Sequence, residues 1–465
     1  MIKTQKLKIN LFFLKNVLFF LTFQIFFSNL LADECVSGKC VNGQGTMFFS
    51  NGDKYTGGFK DGKFHGRGML TYGNVKQQEE LIGDKRYTYA IKYSGEFKEG
   101  KMHGKGTLYF ANGNEYEGEF QDDKFHGKGV YYFANGTSYI GEFKLDMKHG
   151  RGTQTFPNGE KYSGEFFEDQ IHGKGIFYYG NGDKYIGSFR YGKKHGFGTY
   201  HYANGSVYTG EFVDDLREGR GIFQNANGNK YEGEFKNDKY NGKGTLIYTN
   251  GTRYTGDFAN GKFHGKGNLI YPSGNKYIGE FVEGRLEGQG EYIFVNGKKY
   301  TGGFLDGKFH GEGTYIFSNG DVYIGGFKNG KFEGQGKVKL AKGGQYEVEF
   351  KDGKFNGQGS VTYPNGDKYV GEFKDGKRHG KGVLKFRDGG EYSGDFKEDK
   401  SHGKGTLVFP DGTIYDGEFE DDKFNGMGVM YEKDGSVIYS GKWINGDPAD
   451  KSQSIKNKIK SYEWE

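Results

Sequence analysis

A tyrosine returns every 23 residues along most of this chain, and that period constrains the fold more than any other feature. The word Tyr-x-Gly-x-Phe begins at Tyr93, Tyr116, Tyr139, Tyr162, Tyr185, Tyr208, Tyr231, Tyr254, Tyr277, Tyr300, Tyr323, Tyr346, Tyr369, Tyr392 and Tyr415, with Val348 in the glycine place of one copy. An earlier copy begins at Tyr55, ahead of a 15-residue insertion. A later one begins at Tyr439 after a step of 24, with Trp443 replacing the phenylalanine. Seventeen copies in one frame mean a single supersecondary unit stacked many times.

Within each copy the word leads to a Lys-rich segment and a Gly-x-Gly, as in Lys124-Phe125-His126-Gly127-Lys128-Gly129. The Lys-rich segment reads as a turn. Four alternating residues follow, Val130-Tyr131-Tyr132-Phe133, and Asn135-Gly136 closes the unit. Asn-Gly between alternating runs predicts a β-hairpin with a type I′ turn, in which both central residues take positive φ. Each unit is then two short antiparallel strands, and successive units continue the meander. Period two puts Tyr116, Gly118 and Phe120 on one side of the first strand, and Gly129, Tyr131 and Phe133 on one side of the second. If the two aromatic sets share a face, the glycines leave room for rings to lie over the backbone. Val348, Asn225 and Glu432 break this pattern and predict locally weaker copies.

Composition agrees. Glycine reaches 85 residues against 5 prolines, and aromatics make up 17% of a chain only 34% hydrophobic, so the core must be built from Tyr and Phe. A net charge of +5 over 65 basic and 60 acidic residues does not support a nucleic-acid binder.

The ends differ from the array. Lys3, Lys6, Lys8 and Lys15 precede an apolar run from Val17 to Phe27, and Leu30-Leu31-Ala32 follows, so residues 1–32 read as a signal peptide cut after Ala32. An uncleaved membrane anchor is the alternative. The two cysteines, Cys35 and Cys40, lie just past that cut and would form a small disulfide loop in an oxidising compartment. Residues 33–54 are then a partial repeat or cap carrying the cysteine pair, and 55–446 the array. The insertion at 73–92 is a polar loop or extended hairpin, with partner docking as the sharper reading. Residues 447–465 are a tail in which Asp447-Pro448 starts a short helix, with Ile455, Ile459 and Tyr462 at helical spacing, capping the open sheet edge.

The pattern resembles the MORN repeat, whose signature is Tyr-x-Gly-x-Phe followed by a Lys-rich turn and Gly-x-Gly. It is matched over about residues 42–446, and the leader marks a bacterial-type member. The resemblance implies an all-β fold, an elongated single-layer antiparallel sheet of about seventeen stacked β-hairpin repeats with a 23-residue period. About 34 strands at roughly 4.8 Å each would run on the order of 160 Å. Similar proteins serve as scaffolds, dimerise, or associate with membranes and phospholipids.

Candidate chemistry reduces largely to structure. Ten of the eleven histidines, among them His65, His103, His126 and His149, occupy one slot before a glycine, where Asn or Glu stands in other copies. Neighbours would lie roughly 10 Å apart, too far to share a metal. No catalytic residue, metal or cofactor is expected, and no small-molecule substrate. The Gly-x-Gly units open no helix and do not read as nucleotide loops. A basic row remains: Lys63, Lys101, Lys124, Lys193, Lys239, Lys262, Arg285, Lys308, Lys331, Lys354, Lys377, Lys400 and Lys423 share one turn position. At about 10 Å intervals each acts nearly alone unless the partner is a repeating anion such as a lipid surface. Nearby Asp61, Glu99, Asp122, Asp306 and Asp375 neutralise much of the row. The expectation is a non-catalytic scaffold, periplasmic or secreted, with a protein partner or self-association, and anionic phospholipid as the alternative ligand.

Overall fold

The structure is a computed structural model that describes residues 33–73, 80–82, 85–87 and 89–450. The expected leader lies outside the described residues, as does the tail from residue 451. The chain divides into two compact units, one running up to Pro157 and including Phe167–Asp169, the other comprising Asn158–Phe166 and everything from Gln170 onward.

The fold is all-β and antiparallel, with 36 strands in one open sheet and two more in a separate hairpin. In the first unit strands pair in chain order from Glu34–Gly38 with Gly43–Phe48 up to Ser138–Lys144 with Met147–Thr155. The insertion is spliced between two paired strands, Lys63–Thr71 and Ala90–Lys98, and contains the small hairpin of Glu80–Ile82 with Lys85–Tyr87. In the second unit the same meander runs from Gln170–Tyr178 with Lys184–Arg190 to Val437–Ile444. A disulfide joins Cys35 and Cys40, and Cys40 is buried.

Two turn types alternate, and they differ from the sequence expectation. The Asn-Gly turn is not type I′. Only Gly136 takes a left-handed φ (87°); its N–H donates to Phe133 O at 2.9 Å, and the Phe133 N–H donates to Thr137 O at 2.9 Å. This is a three-residue connection, a type I turn followed by a left-handed glycine. Asn135 contributes through its side chain, its Oδ1 accepting the Thr137 N–H at 2.9 Å. The type I′ turn lies at the opposite end of the hairpin, where Asp122 and Asp123 take φ of 52° and 70° between paired Gln121 and Lys124. Asp, Asn and Gly tolerate that region best. Consequently the basic row does not sit in turns: each member is the first residue of the strand that follows.

The core is a ladder of rings, each tyrosine lying across two facing glycines. Tyr116 is fully buried, and a Cβ added to Gly118 would stand 2.5 Å from its hydroxyl, one added to Gly129 2.6 Å from its ring. Gly118 and Gly129 face each other in the register, as do Tyr116 and Tyr131. Phe125 stacks on the outer face of Tyr116 at 3.8 Å, while Phe120 and the next repeat's Phe143 meet it edge-on at 5.1 and 5.0 Å. The Tyr116 hydroxyl donates to Glu119 O at 2.8 Å, so the buried phenol keeps a partner. In the second unit Tyr254 repeats this, with Phe263 stacked at 3.8 Å and Phe258 and Phe281 edge-on at 5.0 Å.

Val348 shows what the glycine is for. The valine is fully buried, with its Cγ1 2.4 Å from where a Cβ of Gly359 would be, so it fills the space a tyrosine ring takes elsewhere. Tyr346 is lifted to a half-exposed position, and Phe355 meets it edge-on at 5.8 Å instead of stacking. At the far end Trp443 takes the phenylalanine place, fully buried, its Nε1–H donating to Gly428 O at 3.2 Å.

Beyond it the expected helix start at Asp447-Pro448 is overturned. Asn445 and Gly446, with φ of 50° and 94°, make another type I′ turn, and Asp447–Pro448 pairs back onto Trp443 and Ile444 as a two-residue strand. Ile455, Ile459 and Tyr462 lie outside the described residues.

Because a Cβ at Gly118 meets both a ring and a facing backbone, Gly118→Ala should cost about 1–3 kcal/mol through overpacking. Loss of amide-exchange protection should centre on residues 115–132 and fade within a neighbouring repeat. Unchanged protection there would contradict the packing described.

Candidate interaction surfaces

Every hairpin presents two faces and two turn ends, and the candidate residues divide among them. The histidine slot lies on the strand after the type I′ turn: His126 faces Glu119 across the ladder. His195 Nδ1 is 3.6 Å from Asp214, and His103 and His402 are 4.0 Å from Asp122 and Asp421. Among the described residues no three His, Cys, Asp or Glu side chains gather where they could hold a metal ion.

The basic row is arranged as an ion-pair ladder along the turn edge. Seven of its members lie 2.6–3.9 Å from a carboxylate in the next repeat's turn: Lys124 with Asp146, Lys262 with Glu283, Arg285 with Asp306, Lys331 with Asp352, Lys354 with Asp375, Lys377 with Glu398 and Lys400 with Asp421. These pairs are solvent-exposed, worth about 0–1 kcal/mol each, and weaken in salt. Lys63, Lys101, Lys193, Lys239, Lys308 and Lys423 occupy the same strand-start position.

One packing position is not apparent from the repeat word, the slot nine residues after each tyrosine. In many copies it holds the stacked ring, such as Phe64, Phe125, Tyr240, Phe263, Phe309 and Phe332. Four copies carry a cation there instead. Lys148 lies 5.7 Å from the Tyr139 ring, and Lys194 5.3 Å from Tyr200. The Arg217 guanidinium lies 5.2–5.5 Å from Tyr208, Phe223 and Phe235, and Arg378 lies 5.2 Å from Phe396. A carboxylate from the next turn holds each arginine: Arg217 Nε donates to Asp238 at 3.1 Å, and Arg378 Nε is 3.5 Å from Asp399. Counting a fixed offset from the tyrosine, without asking for one residue type, would have found the slot. In the second unit Arg217, Asp238, Tyr202, Phe223 and Tyr240 line a shallow groove.

The opposite face of the first unit carries a longer open groove. Its floor is backbone at Gly68, Gly95, Gly106, Gly118, Gly129 and Gly141, and charged side chains flank it. Arg67 faces Glu96 across the ladder, Lys105 faces Glu119 and Lys128 faces Glu142, so neighbouring charges oppose along the groove.

A family profile described as MORN repeat matches residues 55–74 and then every 23-residue window from 93–115 to 415–437. The chain belongs to the MORN-repeat family. The last hairpin, around Tyr439, lies beyond the matched windows. No curated protein matches this chain. Among solved structures, the TCP domain of SAS-4 from Drosophila melanogaster, in complex with a proline-rich motif of Ana2, is 12% identical. It covers 37% of this chain and 87% of that one, with a TM-score of 0.22. The TCP10 domain of Danio rerio CPAP, in complex with a peptide of STIL, is 13% identical and covers 66% of this chain and 99% of that one, with a TM-score of 0.16. At these scores the likeness carries no weight for function. As MORN repeats on a repeat sheet, the array is a repeat scaffold.

The resolved pKa shifts gather mainly on tyrosines, and burial is their first cause. Burial pushes the Tyr55 and Tyr300 hydroxyls up to about 12. Tyr254 is also pushed up to about 12, by burial and then by the Asp257 charge. Tyr116 is raised too, by burial and then by the Glu119 charge. A folded-state value above the unfolded one, near 10, gives stability that is complete below about pH 10 and lost as pH rises through the folded values. Alkaline titration should therefore show core tyrosinate forming together with loss of β-structure, near or above pH 12. Non-cooperative ionisation of all tyrosines near pH 10 would contradict it.

Proposed function

We propose that this MORN-repeat array is an exported scaffold, periplasmic or secreted, that holds a protein or cell-envelope partner along its surface. The observation that carries the reading is the unbroken succession of matched windows from residue 93 to residue 437. It offers one partner many equivalent contacts, and weak contacts in register multiply into avidity. The outward positions of each repeat vary while the tyrosine recurs in every copy, which leaves the surface free to specify a partner. Self-association would use the same surface.

Fractionation with mass spectrometry of the mature N-terminus tests export: a chain beginning after Ala32 outside the cytoplasm is expected, and a full-length cytoplasmic chain would overturn it. Crosslinking in the native fraction tests scaffolding. A discrete partner, or a second copy, should crosslink to residues in several repeats, whereas a chain with no crosslinks would count against it.

Anionic phospholipid is the second ligand, through the basic row. The ion-pair ladder weighs against it, because a lipid phosphate must compete with a carboxylate already 2.6–3.9 Å away in seven copies. Native chain should float weakly with phosphatidylserine vesicles at low salt. Combined Asp306→Asn, Asp352→Asn and Glu398→Gln, freeing Arg285, Lys331 and Lys377, should increase flotation in a salt-sensitive way. Strong salt-sensitive flotation of the native chain would favour the lipid reading over the protein one.

A further inference from the structure

The first glycine of each Gly-x-Gly is a left-handed bulge, and in most repeats an acidic side chain fills the cradle it makes. Gly127 has φ 57°, and a Cβ there would lie 2.3 Å from Glu119 Oε2. The N–H of the next residue then donates to the same carboxylate. Eight repeats carry this bond at 3.0–3.4 Å, always nine residues apart: Lys128 to Glu119, Arg151 to Glu142, Arg220 to Glu211, Lys243 to Glu234, Lys266 to Asp257, Lys381 to Glu372, Lys404 to Asp395 and Met427 to Glu418. A left-handed residue with a following N–H aimed at an anion is a backbone nest. The array thus displays, many times over, the chemistry this cradle takes: a carboxylate.

One repeat of the first unit keeps the cradle and lacks the acid. Residue 58 is glycine where the other copies of the first unit have Glu96, Glu119 and Glu142, yet Gly66 takes the same left-handed φ, 72°. A Cβ at Gly66 would meet nothing within 4 Å, whereas the equivalent positions Gly104 and Gly127 each meet an acid oxygen at 2.3 Å. The residue supplying the N–H is Arg67, which is exposed and adds a guanidinium. The Gln44 amide nitrogen lies 3.3 Å from where a Cβ of Gly58 would be, a further donor. Glu96, across the ladder from Arg67, has its carboxylate turned against Gly104 in its own cradle.

We propose that the cradle at Gly58, Gly66 and Arg67 binds an external carboxylate. Arg67 sets this copy apart from the other two glycine copies, Gly303 and Gly326, where Glu312 and Gln335 stand in the arginine place. Glu312 Oε1 lies 3.7 Å from the Cβ position of Gly326, so an acid of the chain already approaches that cradle. Where Ser188 replaces the acid, Phe197 stands in the arginine place, so among the cradles without an acid the Gly58 cradle alone joins the nest to a cation. It takes its ligand whatever partner the array carries.

The test is amide exchange on the full chain, read at the segment containing Arg67, with sodium acetate, sodium phosphate or sodium chloride at equal ionic strength. A fourth arm uses an end-blocked Gly-Glu-Gly peptide. At twice its Kd the ligand should slow exchange there about threefold. Peptide acting far below the acetate concentration assigns the carboxylate to a polypeptide; equal potency assigns it to small carboxylates. Arg67→Gln, which keeps the N–H and removes the charge, should weaken the effect. Gly58→Glu is a poor probe, because a Cβ there would stand 2.3 Å from the His65 carbonyl oxygen. Glu119→Gly is better: it opens an equivalent cradle at Gly127, and acetate should then slow exchange at Lys128, where the native chain is insensitive. If the Arg67 segment is unmoved by acetate and peptide, with or without a response at Lys128, the proposal fails. A response to phosphate alone overturns the carboxylate assignment.

Discussion

A tyrosine ring lying flat on two facing glycines is the contact on which the rest of this structure depends. A single-layer sheet has no second layer to cover its core face, so the rings themselves must supply the cover. Each buried ring contributes large apolar area and edge-on contacts with its neighbours. The glycines cost chain entropy, and nothing larger can replace them: a Cβ at either one would overlap the ring, as at Gly118 and Gly129. Val348 is the one copy that trades the contact away, and its tyrosine leaves the core. The period of 23 residues is therefore set by sterics as much as by strand length.

The ring ladder tolerates no slip in register, and the left-handed residues of the backbone enforce this. At one end two consecutive left-handed residues make the tight type I′ turn; at the other a single left-handed glycine closes a three-residue connection. Between them the bulge at the first glycine of Gly-x-Gly shifts the register by a fixed amount, as between His126 and Gly129. Charge is driven to what remains. The turn edge becomes a row of cations, seven of them answered by carboxylates of the next repeat, and in the first unit the face opposite the rings becomes a strip of opposed basic residues and Glu. Both arrangements bring opposite charges side by side, which lets 65 basic and 60 acidic residues coexist in one chain.

Much of this was legible because the pattern repeats at period two within strands and period 23 along the chain. Tyr116, Gly118 and Phe120 share a face for reasons that need no coordinates. The turn assignment failed for a physical reason: Asn-Gly suits both a type I′ turn and a type I turn with a trailing left-handed glycine, and the residue names do not separate them. The stacking slot nine residues on was hidden by its occupants, which range from Phe125 and Met102 to Arg217 and Ser401. What they share is a fixed offset from the tyrosine and a place against it, not a residue type. At the tail, Asn445-Gly446 was the better signal than helical spacing, since it makes the same turn as the two-residue turns before it.

The repeats also act as controls on one another. A residue that recurs because the ladder needs it says little about function, and a departure at such a position says more. Departures divide by what they cost. Val348 costs a buried ring and gains a packed valine, so it is accounted for within the core. Arg217 and Arg378 replace a ring with a cation that keeps contact with aromatic neighbours and gains an aspartate, so they too are settled internally. Gly58 is different in kind. The loss of an acid there leaves the bulge in place with an arginine beside it, and among the described residues no group uses the geometry as Glu119 does. In an array where many charges answer one another, a cradle left open beside a cation is the feature most suited to receive something from outside.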